Sequence, residues 1–249
     1  MSYLVLALRF LTIVPVPGRE AAGAGALGRA AWWFPLVGLA LGGCLVAADR
    51  VLLVLVPPLL GAVLLVAAWK IVTGGLHLDG LADAIDGLAG GTAERRLAIM
   101  RDSRLGVFGG VALALALLVS VSAVDALPAP RHPAVLLLAP AVGRLAPVLI
   151  GPLFPAARPG EGVGAEFLAG LSPWATPVHV AVLWVLSAFL LGPWGGLLLT
   201  VALVAAFLWA VFFVSRLGGL TGDALGGSVE IGEMATLTAA ASLVHLQLI

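Results

Sequence analysis

Charge is scarce in this chain. Only 10% of its 249 residues are Asp, Glu, Lys or Arg, against about 25% in soluble domains, while 61% are hydrophobic and the mean hydropathy is +1.15. That composition excludes an ordinary soluble domain and points to a polytopic membrane protein in a lipid bilayer. The 13 basic and 13 acidic residues cancel, so no basic excess argues for nucleic acid and no acidic tail for a solvating segment. The single cysteine, Cys44, excludes an intrachain disulfide and any cysteine-built metal site, and reads as a small apolar residue. Histidine is equally thin: only His77 lies in a motif, while His132, His179 and His245 stand singly, which argues against zinc. Internal repeats, soluble-type stretches and long linkers are missing, so residues 1–249 read as one membrane-embedded domain.

What is abundant is apolar sequence in runs long enough to cross a bilayer at about 1.5 Å per residue. Seven are expected, at 32–48, 51–72, 105–123, 133–154, 174–191, 195–214 and 234–249, giving an all-α bundle of six to seven transmembrane helices. Pro57, Pro58, Pro140 and Pro147 suggest kinks or broken helices. Residues 2–14 resemble a secretory leader only superficially, because Arg9 interrupts the apolar run and Pro15 and Pro17 follow it; they read as an interfacial or re-entrant segment. Placing the N-terminus in the cytoplasm puts Arg9, Arg19, Arg29, Lys70, Arg95, Arg96, Arg101, Arg104, Arg158 and Arg216 on that side, ten of the thirteen basic residues. Arg50 and Arg131 fall outside and Arg144 within a span. The bias predicts that segments 73–104, 155–173 and 215–233 share the cytoplasmic face.

Against this apolar background stands Gly74-Gly75-Leu76-His77-Leu78-Asp79-Gly80-Leu81-Ala82-Asp83-Ala84-Ile85-Asp86-Gly87. On a helix, Asp79, Asp83 and Asp86 fall at i, i+4 and i+7, on one face. Facing lipid, three aspartates would cost roughly 8–10 kcal/mol. A polar cavity or the cytoplasmic rim is the cheaper place, with a hard dication such as magnesium to neutralise them. His77 can orient an aspartate, ligate metal, act as a base or cap a helix start by hydrogen bonding.

Two further segments carry chemistry. Arg101-Asp102-Ser103-Arg104 leads into a glycine-rich span start, where Arg101 and Arg104 can grip phosphate with their bidentate forks or serve as ordinary anchoring charge. In 216–233, glycines surround Thr221, Gly222 and Asp223, with Glu230 and Glu233 following; these acids read either as hard oxygen ligands aligned on a helix or as surface acids of a flexible loop. Arg144 must face the bundle interior, to pair with an acid or reach a phosphate.

In order along the chain, Arg9-Phe10-Leu11-Thr12 with Pro15-Val16-Pro17, Phe34-Pro35-Leu36-Val37-Gly38, the run 74–87, Ile99-Met100-Arg101-Asp102-Ser103-Arg104-Leu105-Gly106 and the segment from Leu217 to Glu233 resemble the cobalamin synthase family. The resemblance implies an adenosylcobinamide-GDP ribazoletransferase of the cell inner membrane, with magnesium as cofactor. Its substrates would be adenosylcobinamide-GDP and α-ribazole or its 5'-phosphate, its product adenosylcobalamin or the corresponding phosphate, and GMP would be released. On that basis Asp79, Asp83, Asp86, Asp223 and Glu230 are expected to hold metal, and Asp79, Asp83 and His77 to be catalytic. Arg101, Asp102, Arg104, Arg144, Arg158, Thr221 and Gly222 are expected to bind substrate, and the oligomeric state is left open. A CDP-alcohol phosphatidyltransferase and an ion-coupled transporter are the competing readings; acids gathered near one face disfavour the transporter.

Overall fold

The computed structural model describes residues 2–128 and 132–248, with the backbone alone at His132. Arg131 and Ile249, both included in the expectations above, lie outside the described residues. The described residues form a helical bundle; their only β contacts are two isolated bridges, Ser2 with Glu20 and Ala156 with Leu220. In chain order the helices are α1 (Tyr3–Leu11), α2 (Ala26–Ala30), α3 (Phe34–Leu55), α4 (Pro58–Val72), α5 (Leu76–Gly87), α6 (Ala93–Ile99), α7 (Val107–Asp125), α8 (His132–Ile150), α9 (Gly162–Ala169), α10 (Ala175–Leu191), α11 (Pro193–Leu217) and α12 (Gly222–His245).

By length and composition four helical stretches are able to cross a membrane: Ala26–Leu55, Val107–Asp125, Pro133–Leu153 and Pro193–Leu217. The pair α4 and α5 would make a fifth if counted together, but its break bends the chain by 87°. α10 is apolar but shorter, at 17 residues. Six or seven separate spans are therefore more than this criterion supports. The first boundary also moves: no break occurs at 48–51, and α3 continues through Asp49 and Arg50 to Leu55. The helix stops where Val56 turns extended ahead of Pro57, because a residue before proline is driven out of the helical region. The expected loop 215–233 is likewise largely helix. A left-handed Gly218 closes α11, Thr221 caps the next helix by accepting from Ala224 N–H at 3.0 Å, and α12 then runs unbroken to His245.

α8 is the central element, its span mostly buried by its neighbours. Lipid tails are as apolar as leucine, so helices associate here through close contact and polar pairs rather than hydrophobic transfer. Gly38 and Gly42 let α3 approach so closely that an added Cβ would lie 2.5 Å from Ala141 Cα or 2.4 Å from the Leu137 carbonyl. On the other side of α8, a Cβ at Gly143 would meet Glu233 Cγ at 2.6 Å. Outward-facing Val54, Val107, Leu118 and Phe189 are exposed, a belt that suits lipid and not water.

Within residues 2–14, α1 is a short helix capped by Ser2. Its Arg9 guanidinium donates to the carbonyls of Val16 (2.9 and 3.1 Å) and Gly18 (3.1 Å), folding the proline-rich strand back on the helix. This places Phe10 beside the site described next.

Candidate active site

Two consecutive left-handed glycines, Gly74 (φ 63°) and Gly75 (φ 68°), turn the chain from α4 into α5. α5 carries Asp79, Asp83 and Asp86 along one side, but they meet different surroundings. Asp86 is buried, and its Oδ2 and Oδ1 accept from Gly106 and Gly109 N–H, each at 2.7 Å. It thus caps the N-terminus of α7, whose free amides and positive dipole end favour a carboxylate. Gly106 and Gly109 are needed for that approach, since a Cβ on either would lie 2.3 Å from an Asp86 oxygen. Asp86 was expected as a metal ligand; both of its oxygens are instead engaged by backbone.

Asp79 is exposed and Asp83 half-buried, and across from them stands Asp223 in the first turn of α12. Gly80 makes the approach possible: a Cβ there would be 3.0 Å from the Asp223 carbonyl and 3.3 Å from its Cα. Burial, with the negative charges of Asp79, Asp223 and Asp86 added to it, raises the Asp83 carboxyl to about 6. Burial also raises Asp223, while the nearby Arg158 opposes the rise.

Glu230 does not join this cluster. It lies with Lys70, Arg144 and Glu233 inside the bundle, where Lys70 Nζ donates at 2.6 Å to Glu230 Oε2 and at 2.6 Å to Glu233 Oε2, and Arg144 is ion-paired with Glu233. Lys70 was expected at the cytoplasmic rim, Glu230 as a metal ligand, and Arg144 in the bundle interior on an acid or a substrate phosphate, of which the structure shows the acid; these three and Glu233 are at most 7% exposed and balance one another, two cations against two anions. Isolated charges buried this deep would be far too costly, so they assemble across α4, α8 and α12. The hint was in plain view: a lone lysine inside an apolar run needs an acid.

The arginine-bearing segments do come together. Arg158 donates to the Leu97 carbonyl at 2.7 Å and Arg96 to the Arg216 carbonyl at 3.2 Å, while Ala156 bridges Leu220. A Cβ on Gly164 would lie 2.5 Å from Gly222 N. Segments 73–104, 155–173 and 215–233 therefore share one end of the bundle. Arg101 is ion-paired with Glu161 at 2.6 Å, and Arg104 grips Asp102 with bonds of 3.0 and 2.6 Å. That fork holds the Asp102 carboxyl down at about 2. All four are solvent-exposed at this end, and Glu161 is a partner that the motifs had not singled out. Thr221, expected against substrate, spends its hydroxyl on the helix cap.

Two cavities meet at Asp79. An apolar one of about 200 Å³ is lined by Phe10, Phe34 and Phe167 together with His77 and Arg144, and reaches Asp79 and Asp223. A wider, more open cleft of about 710 Å³ runs along Arg9, Thr12, Gly74, Gly75 and Leu113. Phe10, Leu76 and Asp79 belong to both.

The family model for cobalamin-5-phosphate synthase matches residues 3–241. The chain belongs to the cobalamin-5-phosphate synthase family. Its relatives include proteins named adenosylcobinamide-GDP ribazoletransferase. The one from Syntrophobacter fumaroxidans is 43% identical, covering 97% of this chain and 99% of the relative. Those from Roseiflexus sp. (40% identical, 95% and 89% covered) and Pseudomonas paraeruginosa (43%, 97% and 98%) align as fully. No solved structure matches. Membership favours the transferase over a phosphatidyltransferase or a transporter.

The magnesium that the family resemblance implies can be tested against the donors at this synthase site. Among the described residues no three His, Cys, Asp or Glu side chains converge as a ready-made metal cage. Magnesium rarely uses one: it keeps several waters and is held by one or two carboxylates plus substrate phosphates. Asp79, Asp83 and Asp223 are hard oxygen donors whose mutual repulsion a dication would relieve, so the donor set fits.

Proposed function

We propose that this chain is an adenosylcobinamide-GDP ribazoletransferase, passing the cobinamide phosphate of its nucleotide substrate to α-ribazole or its 5'-phosphate with release of GMP. The reading is carried by one observation: carboxylates of α5 and α12, distant in sequence, face one another at the arginine-rich end of the bundle. In the reaction the ribazole 3'-hydroxyl attacks the phosphorus that bears the cobinamide arm. The bond from that phosphorus to the bridging oxygen breaks, and GMP departs with the oxygen. Such a transfer needs charge neutralisation and in-line placement more than a covalent nucleophile.

Magnesium, when bound, neutralises the diphosphate and stabilises the leaving oxygen. Asp79 and Asp223 would hold it from opposing helices. Asp83, the third carboxylate of the cluster, would accept the hydroxyl proton. Arg101, Arg104 and Arg158 stand at the same end; the first two have exposed carboxylates as partners, which a phosphate can displace. The clustering of basic residues at this end supports a position on the cytoplasmic face of the inner membrane.

Purified protein supplied with labelled adenosylcobinamide-GDP, α-ribazole and magnesium should release GMP. Chelation should stop the reaction, and a lipid alcohol should not replace ribazole. Asp83→Asn should lower turnover by about 10²-fold or more without lowering the melting temperature. Full turnover in that variant would remove the aspartates from the mechanism.

A further inference from the structure

The apolar cavity is unusual for a site that handles a diphosphate. Its walls are phenylalanine and aliphatic side chains, with Phe10 and Phe34 stacked at 5.9 Å and Phe34 tilted against Phe167 at 5.8 Å. His77, 4% exposed, also lines it, and its Nδ1 is sealed among protein atoms without a hydrogen-bond partner. Arg144 also lines the cavity, with its charge answered by Glu233.

We propose that this cavity receives the planar bicyclic base of the acceptor nucleoside, a dimethylbenzimidazole, among the rings of Phe10, Phe34 and Phe167; the proposal rests on the transferase reading above. Size supports it. An apolar cavity of about 150 Å³ takes up benzene, and this one, at about 200 Å³, has room for a second fused ring while being smaller than the roughly 300–1,000 Å³ of drug-sized sites. A corrin macrocycle is far too large.

Chemistry supports it as well. Guanine would strand a row of donors and acceptors against phenylalanine and leucine. Dimethylbenzimidazole offers methyl groups and an aromatic face to the phenylalanines and has only one acceptor nitrogen to desolvate. Placement is the third argument: Asp79 and Asp223 are among the residues that line the cavity, so a base seated inside has its ribose within reach of those carboxylates.

The test uses the full chain in detergent and free 5,6-dimethylbenzimidazole as probe. Val163 lines the cavity from α9 and is 54% exposed, so Val163→Trp can block the cavity without disturbing the core. Wild-type protein should bind the base saturably and Val163→Trp at least tenfold more weakly. In turnover the same variant should raise KM for ribazole at least tenfold and KM for adenosylcobinamide-GDP less than twofold. Phe167→Leu, which enlarges the cavity, should improve binding of a larger naphthimidazole relative to dimethylbenzimidazole about fivefold, a gain that misfolding does not produce. Turnover without saturable base binding, or a Val163→Trp effect confined to the nucleotide substrate, overturns the pocket and leaves the transferase reading standing. Base binding sensitive to Val163→Trp in a protein without turnover supports the pocket and removes the transferase reading.

Discussion

Lys70 Nζ lies 2.6 Å from Glu230 Oε2, a contact made across 160 positions of sequence and sealed inside the bundle. Lys70→Met would leave Glu230 and Glu233 facing Arg144 alone. Removing one partner of such a buried group costs about 3–5 kcal/mol, so the variant should melt far below wild type in detergent. Lys70→Met combined with Glu230→Gln removes one charge of each sign and should recover much of the loss. A double variant no more stable than Lys70→Met would show that the four charges do not act as a balanced set.

Asp86 gives a cleaner separation of structure from catalysis. Asp86→Ala leaves Gly106 and Gly109 N–H without their acceptor and should destabilise the protein by about 1–3 kcal/mol, whereas Asp83→Asn should lower turnover and not stability. Melting curves and GMP release measured on both variants check this. An Asp86→Ala protein with unchanged melting and no turnover would return Asp86 to the metal site.

Asp83 makes stability depend on pH in a defined direction. Its carboxyl moves from 3.8 to about 6 on folding, so the fold favours the protonated form. The stabilisation is fully present below about 4 and is lost as pH rises through 6. Because the group is only half-buried, screening leaves on the order of 1 kcal/mol, a melting shift of about 2–4 °C. Chelator-treated protein should lose that much between pH 4 and 7, and Asp83→Asn should flatten the profile. Magnesium should reduce the loss by favouring the carboxylate.

Close packing of α3 on α8 is tested by adding side-chain volume. Gly38→Val drives a Cβ toward Ala141 Cα and should cost about 1–3 kcal/mol or more, while Gly43→Ala, where a Cβ meets nothing within 4 Å, should be silent. Equal melting of the two would mean that the helices are free to separate at no cost.

Much of this protein was legible from residues taken in order. The apolar runs announced a helical membrane bundle, the Asp79–Asp83–Asp86 spacing placed three carboxylates along one side of a helix, and the basic residues predicted which segments would gather at one end. Local signals failed where two kinds competed. The charged pair Asp49 and Arg50 looked like the end of a span, yet α3 runs through it, because proline at 57 stops a helix more firmly than charge does. The glycine-rich stretch after Thr221 allowed either a helix or a flexible loop; it is helix, and glycine there serves close packing within α12, against Gly80 and against Trp209.

Composition, helical period and motif order, which are properties of neighbours along the chain, determined by themselves the membrane class, the family and the candidate acids. Tertiary structure alone decided how those acids divide: Asp79, Asp83 and Asp223 together at the end of the bundle, Asp86 on the amides of α7, Glu230 and Glu233 on Lys70 and Arg144. The reason is physical. A carboxylate's role is set by the charges and donors within a few ångströms of it, and in this fold those come from helices whose separation in sequence no periodicity encodes.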